Sequence, residues 1–324
     1  MSPDASDICA GPVSCRLCGS AAIRDLGAIP DSDYFAGQVL PGPLSGGHLW
    51  GCRDCASMFR YPILTAEQYL SLYRAGDPNQ WSADEHRAEH WDSGRLREDL
   101  RIIRSIMVDA GARSALDVGC GSGEFLASLP ADVAKFGIEP SGAGLLASRR
   151  GIDIVARQLE ECAAQGRFDA VTVIDVIEHV PEVEPFLARA YAQLSPGGLL
   201  IVSTGDPDNP LWRVGLRGRF WYVVFPEHIS FPSCKFFKGW CTRTGAVLAE
   251  RHVTRYQHAG LARRLLGAAI QALFVVNPNA FNWLGRSLRA GVRPGKAQRR
   301  TFSPGIPGTF RDHQIIVMRK PTAQ

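Results

Sequence analysis

Residues 116–126 read LDVGCGSGEFL, an apolar run that breaks into three glycines at alternate positions before a second apolar run begins. Such a stretch turns a strand into a helix. Gly119, Gly121 and Gly123 let the backbone approach a ligand closely, and amides at a helix start favour a carboxylate or phosphate. Alone this is a weak signal, and its neighbour strengthens it. Glu139 ends the next apolar run about 20 residues on, where an acid can accept hydrogen bonds from both hydroxyls of a ribose. Dinucleotide enzymes use G-x-G-x-x-G, whereas this loop is G-x-G-x-G and carries Asp117 two residues before its first glycine. An acid there is unhelpful for a pyrophosphate and useful near a cationic amine. A nicotinamide oxidoreductase is therefore disfavoured.

Short apolar strands follow, at 114–119, 134–139, 153–156, 168–174 and 198–204, with helical patterns near 123–129, 142–150 and 182–194. This alternation predicts a parallel sheet covered on both faces. Before it, Leu96, Leu100, Ile103, Ile106 and Met107 give an amphipathic helix ending at Gly111. After it come an irregular Pro/aromatic loop (205–231), a helix near 233–244, a strand at 246–253 and a last strand, HQIIVM (313–318). No internal repeat is visible.

Across 112–204 the chain resembles the class I S-adenosylmethionine-dependent methyltransferases. The blocks that carry the resemblance are LDVGCGSGEFL, GIEPS with Glu139, FDAVTVIDVIEHV and LSPGGLLIVST, in that family's order. The resemblance implies an α/β fold with a seven-stranded Rossmann-like sheet whose last strand is antiparallel. It also implies S-adenosyl-L-methionine as cofactor. Gly119, Cys120, Gly121 and Gly123 would face its methionine part, Glu139 would hold the ribose, and Gln158 and Leu159 would border adenine. Asp117, Asp175 and Val176 would complete the cofactor edge.

Two Glu-His pairs stand out. Asp175, Glu178 and His179, in DVIEH, follow the fourth strand at the edge where open α/β sheets bind ligands. Two carboxylates and an imidazole could hold a divalent metal, as in some quinone-pathway O-methyltransferases that this run resembles. The same run occurs widely in the superfamily without metal, so the preferred reading is that His179 packs near the methyl group. The second pair, Glu227-His228 in FPEHIS, lies in a loop rich in aromatics. Long loops over an active edge carry substrate contacts. His228 is placed there as a base oriented by Glu227, with helix capping as the alternative.

Cysteine spacing adds a second module. Cys15-x-x-Cys18 and Cys52-x-x-Cys55 are two knuckles that can complete a closed tetrahedral Zn2+ site of structural type. A reducing compartment suits metal ligation better than disulfides for the nine cysteines. Knuckles, methyltransferase core and a Pro-Glu-His-Ile loop together are similar to the first two domains of bacterial sugar C-methyltransferases. That similarity implies His228 as base on a keto-sugar, Glu227 as its partner, His179 as a second polar contact, and Tyr222 or Phe225 at the place of a substrate-contacting tyrosine. Those enzymes carry a further C-terminal domain beyond the strand on which this sequence closes.

The predicted organisation is a zinc-ribbon-like module (1–62), a helical linker (63–93) and a methyltransferase domain (94–324) with an insertion at 254–311. In that insertion, LARRLLGAAIQALFVVNP is shorter than the roughly 20 residues a bilayer span needs. Arginines 263, 264, 286 and 289 beside it would suit a helix lying on an anionic membrane, with peripheral contact through 261–300. A cap over the substrate pocket or a homodimer interface is the preferred alternative. A formal charge of +4 is too small for a dedicated nucleic-acid binder. The absence of a basic start followed by an apolar run predicts a cytoplasmic protein, with peripheral contact at the inner membrane face if the insertion docks there. The acceptor stays open between a saccharide hydroxyl, a keto-sugar carbon and an aromatic or quinone-like hydroxyl. A non-catalytic zinc-dependent adaptor that keeps the cofactor-binding core is the rival of another class.

Overall fold

The computed structural model describes residues 11–35, 38–65, 67–69, 72, 97–163, 166–214, 216–256, 259–281, 283–284 and 308–322. Most of the predicted 63–93 linker and the basic stretch after Leu284 lie outside these. The chain divides into two compact units. One comprises residues 1–77, 207–233 and 259–310, the other 78–206, 234–258 and 311–324.

The first unit is built on an antiparallel sheet. Strands β1 (Ile23–Ala28), β4 (His48–Cys52), β5 (Met58–Tyr61) and β11 (Ser230–Phe231) lie side by side in the order β1-β4-β5-β11, and β2 (Ser32–Phe35) pairs with β3 (Gln38–Leu44). β11 comes from the distant aromatic loop and pairs Ser230 with Phe59 and Phe231 with Met58. Its aromatics are therefore core residues. Trp212, Phe220, Trp221, Tyr222 and Phe231 pack with Leu49 and Met58 in one apolar cluster.

The second unit holds the alternating strands: β6 (Ser114–Val118), β7 (Ala134–Ile138), β8 (Asp153–Ala156), β9 (Phe168–Ile174), β10 (Leu194–Gly205), β12 (Val247–Thr254) and β13 (His313–Arg319). Their order is β12-β13-β10-β9-β6-β7-β8. β10, β9, β6, β7 and β8 run parallel, and β13 is antiparallel to both β10 and β12. The seven-stranded sheet with its reversed final strand thus forms as expected. β10 begins earlier than the sequence suggests, because a register shift between Leu194 and Leu199 accommodates the Ser-Pro-Gly-Gly turn within the strand.

Helices α1 (Glu98–Asp109), α2 (Glu124–Ala127), α3 (Gly144–Arg149), α4 (Val183–Ala192) and α6 (Cys234–Thr244) belong to this unit, while α5 (Pro210–Val214) and α7 (Leu261–Val276) belong to the first. α1 buries Leu100, Ile103 and Met107, spaced three to four residues apart, against Leu199, Ile201, Ile315 and Val317 of the sheet. Strand order reverses between β6 and β9, since β7 and β8 extend one way and β10 the other. Open α/β sheets bind ligands at the carboxyl ends of strands on either side of such a switch point.

Candidate active site

The three loop glycines sit at that switch point. Gly119, Gly121 and Gly123 have φ of +78°, +55° and +80°, a region costly for other residues. A Cβ on Gly119 would stand 2.5 Å from Val176 Cγ2, so this glycine also lets the loop after β9 close against the turn. Cys120 is buried and fills the space over Gly137 of β7, where a Cβ would meet its Sγ at 2.5 Å. Gly119 and Cys120 both donate to the Ile138 carbonyl, at 2.8 and 3.2 Å, which ties the turn to the end of β7.

Glu139 follows directly and is 7% exposed. Its carboxylate accepts from the Gly121 amide at 2.9 Å and the Ser141 amide at 2.8 Å. Two backbone donors fix its orientation and leave further lone pairs for a ligand. Asp117, buried in β6, accepts from Thr172 Oγ1 at 2.7 Å. Burial pushes its carboxyl up to about 7, against the hydrogen bond from Thr172, and the charges of Glu139 and Asp175 push the same way. The turn is therefore lined by carboxylates that repel one another, an arrangement that a cation would relieve. Gln158 is exposed and Leu159 buried, at the start of a short 3-10 turn after β8.

Asp175 leaves β9 with φ +54°, uncommon for a residue with a side chain. Arg97, immediately before α1, holds it at 2.8 Å and also grips Asp99 with two bonds of 3.1 and 2.7 Å. The Arg97 guanidinium lies 4.1 Å from the centre of the Tyr256 ring, and Tyr256 in turn faces His313 at 5.0 Å. His313 Nδ1 meets Asp312 at 3.0 Å, with both side chains fully buried. Burial opposes charge on Arg97 and His313, but the surrounding carboxylates outweigh it and raise both. Glu178, 1% exposed, accepts from Thr204 Oγ1 at 2.9 Å. His179 is half-buried, and its amide closes the turn onto Val176 at 2.9 Å.

Sequence reasoning missed Arg97, Asp99, Tyr256, His313 and Asp312. Each is unremarkable in its local stretch, and the group exists only because α1, the end of β9 and the start of β13 converge. An Arg-x-Asp pair at a helix start was the one local signal present.

His228 lies in the first unit. Its Nδ1 is 2.7 Å from the Tyr222 carbonyl, and its ring packs at a tilt against Tyr222 at 4.3 Å and meets Phe225 at 5.4 Å. A carbonyl only accepts, so Nδ1 carries the proton and Nε2 is the basic nitrogen of the neutral ring. Tyr222 is 3% exposed and packs on Trp212 and Trp221; Phe225 is half-buried. Arg60 of β5, another residue the sequence did not single out, braces the loop by donating to the carbonyls of Val223 and Phe225 at 2.7 and 2.9 Å. Burial pulls Arg60 down to about 10, opposed by the carboxylate of the buried Glu227.

The four knuckle cysteines converge, with all four Sγ atoms within 4.8 Å of one another. Cys15 and Cys55 stand 3.8 Å apart and Cys18 and Cys52 3.7 Å apart. Sulfurs held about 2.3 Å from a central ion at tetrahedral corners are separated by about 3.8 Å. The cluster fits such an ion. As thiols, the Cys15 hydrogen bond draws Cys55 down to about 5, while burial pushes Cys18 up to about 12.

The family described as "Methyltransferase domain" matches residues 77–250. A Bradyrhizobium diazoefficiens protein named ubiquinone biosynthesis O-methyltransferase is 34% identical over 166 residues, covering 47% of this chain and 62% of that protein. A protein of the same name from another Bradyrhizobium strain is 39% identical over 118 residues, 33% of this chain and 46% of that protein. One from Shigella boydii is 31% identical over 182 residues, 51% and 75% of the two chains. The chain thus spans about half to three quarters of the length of these relatives. Among solved structures, a SAM-dependent methyltransferase from Archaeoglobus fulgidus is a distant likeness at 12% identity and a TM-score of 0.42, over 68% of this chain and 94% of that one.

Proposed function

The chain belongs to the methyltransferase-domain family, and on that premise we propose that it transfers a methyl group from S-adenosyl-L-methionine to a small-molecule hydroxyl. The observation that carries this reading is the buried acidic lining of the glycine turn, with Asp117 pushed up to about 7. S-adenosyl-L-methionine brings an ammonium and a sulfonium, and the sulfonium supplies an activated methyl.

The chain's own residues then have distinct tasks. Asp117 and Asp175 answer the positive charges. Glu139, held by the Gly121 and Ser141 amides, offers its remaining lone pairs to the ribose hydroxyls, and Gln158 and Leu159 border the adenine. His228, protonated at Nδ1 through the Tyr222 carbonyl, takes the acceptor's proton at Nε2, with Glu227 as its partner. His179, Tyr222 and Phe225 are assigned to shaping the acceptor's surroundings. Much of the rate should come from orientation, so losing the base should slow turnover without abolishing it. The cysteine cluster is read as a structural Zn2+ site, on the sulfur spacing alone.

The names of the relatives favour an aromatic, quinone-type hydroxyl as acceptor. A saccharide hydroxyl or keto-sugar carbon is the second reading. It is favoured by the first unit, where the cysteine cluster and the Pro-Glu-His loop share one sheet through the β5–β11 pairing.

The test is calorimetry with S-adenosylhomocysteine and NADH, followed by mass spectrometry of labelled methyl transfer to quinol-type and sugar-nucleotide acceptors. Binding of S-adenosylhomocysteine alone, at least about tenfold weaker in Glu139→Ala, is the expected result. NADH binding would overturn the cofactor assignment, and cofactor binding without transfer to any acceptor would favour the adaptor reading.

A further inference from the structure

Helix α7 turns its apolar side outward. Of its residues only Gly267, Gln271 and Phe274 are buried, while Leu261, Leu265, Leu266, Leu273 and Val276 are 56–81% exposed. The buried stripe is held in part by polar bonds: Gln271 accepts from the Trp221 amide at 2.8 Å and donates to the Arg219 carbonyl at 2.9 Å. At about 100° per residue, the exposed leucines and valine, with the alanines between them, fill one arc of about 140°. No polar residue falls within that arc. Arg263 and Arg264 lie about 60° beyond its two edges. Trp283 and Leu284, just after the helix, are 64% and 48% exposed.

This is the reverse of an ordinary surface helix, whose apolar stripe faces the core. A contiguous apolar face bordered by cations marks an interaction surface. Charge decides what covers it. Between Glu250 and Asp312 the sequence holds eleven Lys and Arg residues and no acid. The remainder of the chain has 25 Lys and Arg against 32 Asp and Glu. A second copy docking face to face would bring the same patch against itself, setting arginine against arginine. An anionic lipid surface instead accepts the apolar arc into its acyl boundary and lets the flanking guanidiniums reach the headgroups. No helix among the described residues is long and apolar enough to cross a membrane, so the mode is peripheral.

The geometry points to α7 as a helix that lies in the plane of an anionic membrane and holds the chain at its surface. This rests on α7 and its charge context alone, and stands whichever acceptor the methyltransferase uses. The test is co-sedimentation of the full chain with vesicles of phosphatidylcholine alone or mixed with phosphatidylglycerol, together with sedimentation velocity without lipid. Binding should require phosphatidylglycerol and weaken as salt shortens the range of the charges. It should fall at least about tenfold in Leu265→Asp/Leu273→Asp. Far-ultraviolet circular dichroism and an unchanged thermal midpoint verify that the variant is folded, since both leucines are exposed. Absence of vesicle binding, equal binding by the folded variant, or a dimer that the double substitution dissociates would each overturn the proposal.

Discussion

Asp117 links cofactor recognition to pH. In the folded chain its carboxyl is raised from 3.8 to about 7, so the native state keeps a proton that the unfolded chain has already lost. Its contribution to stability is therefore complete below about pH 4 and lost as pH rises toward 7. His313, also raised, acts in the same direction: what it contributes is complete below its ordinary value of 6.5 and lost as pH rises through its native value. The ligand-free protein should accordingly lose stability from pH 5 to 8 in thermal unfolding, and Asp117→Asn should flatten the curve. A cationic cofactor favours the ionised carboxyl, so its binding near pH 7 should release a proton, visible by calorimetry in buffers of different ionisation enthalpy. An unchanged pH profile in Asp117→Asn would remove Asp117 from this role. Arg97→Ala should cost about 3–5 kcal/mol, because it leaves the buried Asp99 without its cation and strips the same partner from the part-exposed Asp175. Chemical denaturation would measure that cost, and a loss below about 1 kcal/mol would show that the pair is solvated.

The knuckles and the turn show how far short stretches specify local structure. Cys15 and Cys18 ahead of β1, Cys52 at the end of β4 and Cys55 in the turn to β5 converge because those strands pair in fixed register, Ile23 opposite Cys52. A bound ion would join segments that otherwise depend on a small sheet. Chelation, or Cys52→Ser, should therefore lower the thermal midpoint by several degrees, as loss of about 1 kcal/mol or more does in a unit of this size. Released zinc should appear in a colorimetric assay. An unshifted midpoint with no zinc released would show that the cluster is a thiol core. The glycine turn, the starts of β6, β7, β8 and β9 and the stop of α1 were legible because each is set by local chemistry, such as positive φ at Gly119, Gly121 and Gly123 and Gly111 just beyond α1. The early start of β10 was not legible, because only pairing with Phe168 brings Leu194 into the strand.

Across the chain, binding energy at the switch point should appear as stability. S-adenosylhomocysteine at a hundred times its Kd should raise unfolding free energy by about 2.7 kcal/mol if only the native state binds it. A thermal-shift titration measures this, and no shift at saturation would mean that the native cofactor edge is not formed. Sequence by itself determined the alternating parallel strands, the glycine turn and its acid partner, while the seventh strand, its reversal and the cofactor class were what the resemblance to the methyltransferase family implied. Period, spacing and glycine placement act between neighbours in the chain, and such rules can be read without knowing the fold. Only the tertiary structure decided which distant residues meet. It brought Arg97 to Asp175 and Tyr256, and it set the 207–233 loop and α7 in one unit with the cysteine sheet. It also turned the leucines of α7 outward. Apolar periodicity marks a helix face without saying where the core lies, and a salt bridge across some eighty residues leaves no local trace.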